Sequence, residues 1–214
     1  MNKRLKLTIA AKTALGFGVV ILSVLISYTL IYNMLLINKE KTDELSQEII
    51  PSLSAINSYA LVVNQSKNLI KNWVLYDSFD DTPKKRQLKD INQNKYPALK
   101  ETLNELSKKW EPEDRKLLNE ITKETDKIFS SHAKIMRDLD SFEKYNDQLL
   151  IGRYKSDVEE GNPMMRQTDS VLTKLDRLSK HTRQLVAKSS DEMQKSFINL
   201  RVRIIISVVI LILL

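Results

Sequence analysis

Seven side chains between residues 67 and 86 carry the ingredients of an anion site. Lys67, Lys71, Lys84, Lys85 and Arg86 supply positive charge, and Trp73 and Tyr76 supply an aromatic wall beside it. The same residues also make an ordinary solvated helix end with an aromatic plug, since exposed lysine is normal and Asp77, Asp80 and Asp81 offset much of the charge. A second candidate is His132, which falls on an apolar stripe with Thr125 about two turns and Asn146 about four turns away. Polar layers of this kind suit the lining of a ligand cavity or the receipt of a proton. In helical bundles they more often fix register and partner geometry.

No other pattern suggests chemistry. The sequence has no phosphate-binding loop and no nucleophile with a base at a recognisable spacing, and its Asp and Glu pairs are too abundant to single out an acid and a base. His132 and His181 would need carboxylates such as Asp138 or Glu192 to hold a metal, and no spacing groups them. With no cysteine, the chain has neither disulfides nor thiol chemistry. No cofactor, no metal and no enzyme activity are expected of this segment. The formal charge of +7 reflects 34 basic against 27 acidic side chains. Four of the basic ones, Lys3, Arg4, Lys6 and Lys12, precede the first apolar run, and the rest alternate with acids at helical spacing, as from Glu111 to Lys127. That is a solvated helix face, and no nucleic-acid partner is expected.

The elements that must position these residues are long helices, because four glycines and five prolines leave few places to turn. Proline at a first helical position behind a capping residue marks three starts: Asp81-Thr82-Pro83, Trp110-Glu111-Pro112 and Glu160-Gly161-Asn162-Pro163. Helices over about 38–77, 83–109, 112–158 and 163–203 follow from these starts. In the third, Leu118, Ile121, Thr125, Ile128, His132, Ile135, Leu139, Phe142, Asn146 and Leu149 alternate by threes and fours throughout, which predicts a heptad seam, with a tilt of this helix as the alternative to a break in the bundle. The fourth offers Leu175, Leu178, Met193, Phe197 and Leu200. Pro51 is expected to bend the first helix and Pro97 to kink the second, and a break is expected near Gly152 or Pro97.

Between Lys12 and Lys39 no side chain is charged. A helix over 13–37 is about 38 Å long, against a hydrocarbon core of about 30 Å. The run is longer than the core of a signal peptide and has no Ala-x-Ala site. The basic residues before it predict a cytoplasmic N-terminus, with Tyr28 and Tyr32 in an outer aromatic belt. Gly16, Val20, Ser23 and Ser27 follow a 4-3-4 spacing that lets another helix come close. Residues 204–214 are uncharged and, Ser207 apart, apolar, but make only about 17 Å of helix, which reads as the start of a second, truncated span in a fragment of a longer protein. The expected organisation is a basic cytoplasmic segment at 1–12, a first span at 13–37, an outward domain at 38–203 and the second span from 204. The fold class is all-α, an antiparallel up-down four-helix bundle flanked by two transmembrane helices.

Ile49-Ile50-Pro51 followed by Leu53 and Ile56, and the stretch from Asn68 to Trp73 running into Asp80-Asp81-Thr82-Pro83, lie within this arrangement. With them the chain resembles, over essentially all its length, the input half of bacterial chemoreceptors and sensor histidine kinases of the four-helix-bundle sensory family. The resemblance implies a homodimer in the bacterial inner membrane with its bundle periplasmic or extracellular. It would bind a small molecule or a protein and pass the signal through helix four and the second span to a cytoplasmic output domain. That output could be a histidine kinase or a methyl-accepting hairpin. The alternative is a membrane-anchored docking or structural protein that transmits nothing.

Overall fold

The computed structural model describes residues 8–213, so Lys3, Arg4 and Lys6 of the basic segment lie outside the described residues. The protein is all-α: 91% of it is helical, and no strand occurs among the described residues. The helices are α1 (Ile9–Glu44), α2 (Ile50–Leu75), α3 (Pro83–Asp90), α4 (Tyr96–Leu106), α5 (Pro112–Asp138), α6 (Gln148–Asp157) and α7 (Pro163–Leu213). Three of them open on the expected prolines. Thr82 caps α3 by accepting a hydrogen bond from the Lys85 amide at 3.3 Å, and Gly161, at φ 84°, makes the turn before Pro163.

Two prolines sit inside helical runs, and each is preceded by a π-turn, Leu45–Ile49 before Pro51 and Ile91–Lys95 before Pro97. The cause is local. A proline ring carries no N–H and clashes with the carbonyl four residues back, here Gln47 and Gln93, and both carbonyls lie within the widened turns. The Tyr96 amide accordingly reaches back five residues, to the Ile91 carbonyl.

The chain forms two compact units, residues 47–185 and the pairing of residues up to 46 with those from 186 onward. In the first, one apolar cluster joins Ile56, Tyr59 and Val63 of α2, Leu103 of α4, Ile121 and Ile128 of α5, and Leu175 of α7. A second joins Ile70 and Trp73 of α2, Leu88 of α3, Ile135 of α5, Tyr154 of α6 and Met165 of α7. Burying each such side chain stabilises the fold by about 1.5–3 kcal/mol.

The course of the third helix, expected over about 112–158, is corrected by the structure. Its seam is buried from Leu118 through Ile135 to Leu139, but there α5 ends; a 3-10 turn (Phe142–Asn146) follows, and α6 starts afresh. The break falls here and not at Gly152. Phe142 is 53% and Leu149 88% exposed, and Asn146 is exposed too, so none of the three continues the seam. Groups on both sides hold the break open. The Leu139 carbonyl accepts from Trp73 Nε1 at 3.0 Å, and the Asp147 carboxylate caps α6 by accepting from the Leu149 and Leu150 amides at 3.1 and 3.0 Å. Asp147→Ala is expected to cost about 1 kcal/mol in urea unfolding, whereas Asp147→Ser should retain most of the stability.

In the other unit, α1 turns one face to the last part of α7. Val20, Ser23, Ser27, Ile31, Met34, Asn38, Lys41 and Leu45, spaced by threes and fours, are its covered positions. Ser27 Oγ donates to Ser207 Oγ at 3.1 Å, Thr42 Oγ1 to Met193 Sδ at 3.2 Å and Lys41 Nζ to Glu192 at 2.7 Å. Of the small-residue stripe Ser27 meets α7, while at Gly16 no described atom outside the helix's own backbone lies within 4 Å of the position a Cβ would take. Phe197, expected in the core, is 49% exposed, because the covered face of α7 here runs through Ser196 and Leu200. Asn38 is 3% exposed, and neither atom of its amide has a hydrogen-bond partner. Among the described residues one helical run, Ile9–Leu75, is long and apolar enough to cross a membrane, and none of its most apolar window is buried.

Candidate functional site

The corner after α2 is built around two buried side chains, Trp73 and Lys85, 2% and 1% exposed. Trp73 ends α2 on its inner face, and Lys85 sits in the first turn of α3, where the Thr82 cap and Pro83 fix its direction. Its ammonium lies 4.7 Å from the Trp73 ring centre and 5.0 Å from that of Tyr145. It donates to Tyr145 Oη at 3.1 Å, and Tyr145 Oη donates in turn to the Trp73 carbonyl at 2.8 Å. Burial pushes the Lys85 pKa down, opposed by the nearby carboxylates of Asp77 and Asp80; burial pushes the Tyr145 phenol up. The chain thus satisfies its own aromatic cage with its own cation.

The remaining corner residues are dispersed around this plug. Lys67 pairs with Asp169 at 2.7 Å, Lys71 pairs with Glu160, and Arg86 pairs with Asp81 at 2.7 Å. Lys84 and Tyr76 point to solvent, Tyr76 at 78% exposure. An anion binding here would have to displace Glu160 or Asp81. These exposed pairs are worth at most about 1 kcal/mol each, so displacement is cheap.

His132 lies deeper, fully buried on α5. Its Nδ1 is 2.8 Å from Ser66 Oγ of α2, and its Nε2 has no partner. Burial lowers its pKa to about 3, so the ring is neutral at ordinary pH. It ends a run of rings, Tyr59 to Tyr96 at 5.7 Å, Tyr96 to Phe129 at 4.3 Å and Phe129 to His132 at 5.8 Å. Tyr59 Oη is likewise buried without a partner, and burial raises the pKa of Tyr59 and of Tyr96, which donates to Asp126. Thr125 spends its hydroxyl on the Ile121 carbonyl at 2.7 Å.

Two features escaped the sequence. Tyr145 completes the Lys85 cage from 60 residues away, which no spacing reveals. Between α5 and α7 lies an open groove of about 820 Å³ lined by Leu117, Glu120, Arg177 and Leu178. Cross-links from His181 Nδ1 to Asp114 at 2.8 Å and from Lys174 to Glu124 at 2.7 Å tie the same two helices together. No group of three metal-ligating side chains occurs among the described residues. Comparison of the chain with protein-family models, with curated proteins and with solved structures finds no match in any of the three.

Proposed function

We propose that the chain is the sensory input module of a bacterial transmembrane signalling receptor. In this reading residues 38–203 form an extracytoplasmic four-helix bundle, α1 crosses the inner membrane with its N-terminus inside, and the apolar end of α7 begins a second span. Occupancy of the bundle by a small molecule or a protein shifts α7 against α1, and the second span carries the shift to a cytoplasmic output domain. The working unit is a homodimer.

The observation that carries this reading is α7 itself. It is one uninterrupted helix from Pro163 to Leu213. It gives Val171, Leu175 and Leu178 to the core and Glu192, Met193 and Ser207 to the face covered by α1. A helix engaged at both ends is a mechanical link. The unburied apolar surface of α1 supports the membrane assignment, since a core helix of a water-soluble protein would hide it.

The test uses the native protein, detected in membranes with an antibody against residues 38–203. A species carrying a further domain of about 100–200 residues is expected. In that protein, which has no cysteine over these 214 residues, a disulfide between Thr42→Cys and Met193→Cys should lock the output in one state. A species no larger than this chain, or an output indifferent to the cross-link, would leave a membrane-anchored docking role.

A further inference from the structure

The paired ends of α1 and α7 leave a cleft of about 250 Å³ between them. Its walls are apolar, from Leu30, Met34, Leu200 and Ile206, and the Ser27–Ser207 hydrogen bond lies across one end. One charged side chain, Arg203, lines it. Arg203 is exposed and makes no ion pair or hydrogen bond among the described residues. No acidic residue occurs on α1 from Ile9 to Lys39, or on α7 after Glu192.

Depth gives this cation its meaning. The ties from Ser27 to Ser207 and from Lys41 to Glu192 set an antiparallel register in which Arg203 stands opposite Ile31. That is the level of Tyr28 and Tyr32, whose rings stack at 6.3 Å. Counted from Thr13, about 20 residues of helix cross the hydrocarbon and end at this same level. Interfacial tyrosines sit among lipid headgroups. A guanidinium there reaches the headgroup level and, among the described residues, has no carboxylate beside it to meet its charge. A phosphodiester does so with two parallel hydrogen bonds.

We infer that the cleft between α1 and α7 is a binding site for one anionic phospholipid. Its phosphate sits on Arg203, and the first carbons of an acyl chain lie against Leu30, Leu200 and Ile206. The site rests on the reading of α1 as membrane-spanning, and its occupant bridges the two helices whose relative movement the proposed function requires. Arg201 lines a separate groove with Met193, Phe197 and Ile198, and so serves as the control.

The chain is reconstituted in vesicles of phosphatidylglycerol and phosphatidylcholine in equal amounts, washed with alkaline carbonate, extracted in mild detergent and weighed by native mass spectrometry. One phosphatidylglycerol should remain bound in preference to phosphatidylcholine, whose choline cation cancels the charge of its phosphate beside Arg203, by about tenfold. Arg203→Gln should bring the two lipids level, whereas Arg201→Gln should leave the preference intact. Glycerol phosphate, which has the headgroup chemistry without the chains, should not displace the lipid at millimolar concentration. Equal retention of both lipids by the unmodified chain, equal loss in both arginine variants, or displacement by glycerol phosphate would each overturn the site. A chain that carbonate strips from the vesicles fails the membrane reading itself, whereas one that stays but retains no phosphatidylglycerol fails the lipid site alone.

Discussion

Between pH 7 and pH 4.5 the folded chain is expected to lose about 2.5 kcal/mol of stability through His132 alone. The folded ring is buried among apolar groups and takes a proton only near pH 3, whereas in the unfolded chain it does so near pH 6.5. Its folded pKa is thus depressed, and for a base this means that the unfolded state binds the proton first. Stability is complete above about pH 6.5 and falls by about 1.4 kcal/mol per unit as pH drops from there toward 3, where the decline ends. Exposed carboxylates contribute in the same direction. Asp90 is held low by Asn94, Glu160 by Lys71 and Glu192 by Lys41; each loses its favourable partner as acid protonates it. These groups are common to the parent and to His132→Asn, so urea unfolding of both in detergent micelles from pH 7 to 4 isolates the histidine. A stability difference that stays constant across that range would show the ring to be solvated. As a sensor of mild acid His132 is unsuited while buried.

Trp73→Ala should cost about 3–5 kcal/mol, the range for deleting a large buried aromatic side chain. Three contributions act together: the cavity, the loss of the donor to the Leu139 carbonyl where α5 ends, and the loss of the ring facing the buried Lys85 ammonium. Trp73→Phe keeps most of the volume and removes the N–H, and should cost about 1–3 kcal/mol, the price of an unsatisfied buried acceptor. Lys85→Met should be close to neutral, because a buried charge and its desolvation largely cancel. Unfolding of all three variants in urea separates the contributions. A cost for Trp73→Ala below about 1 kcal/mol would mean that the corner opens independently of the core.

Much of the helical layout was legible because it depends on local rules. Pro83, Pro112 and Pro163 open helices because a first-turn proline gives up no hydrogen bond. The stripe from Leu118 to Ile135 is buried because its period matches the helix. The break after Leu139 was hidden by the same logic: Phe142 and Leu149 keep the three-and-four spacing, yet the chain between them is not α-helix. The overlooked local clue was Asp147, a capping residue inside an apparent seam. Lys85 was legible only as a charge among charges, since residue type places lysine outside. What buries it is Tyr145, brought to it by tertiary packing. The expected clustering of corner cations did not anticipate that Glu160 and Asp169, nearly a hundred residues on, would meet Lys71 and Lys67.

Asn38 has a dynamic consequence. It is covered on the α1–α7 seam, and its amide has no partner, an arrangement that costs about 1–3 kcal/mol per unsatisfied atom. Parting a leucine layer costs free energy because apolar surface meets water, but this layer recovers hydration that closing had taken away. Water enters first at Asn38, between the Ser27–Ser207 tie on one side and the Lys41–Glu192 tie on the other. The helix pair therefore behaves as two short zippers joined by a loose link, able to breathe at one layer without coming undone.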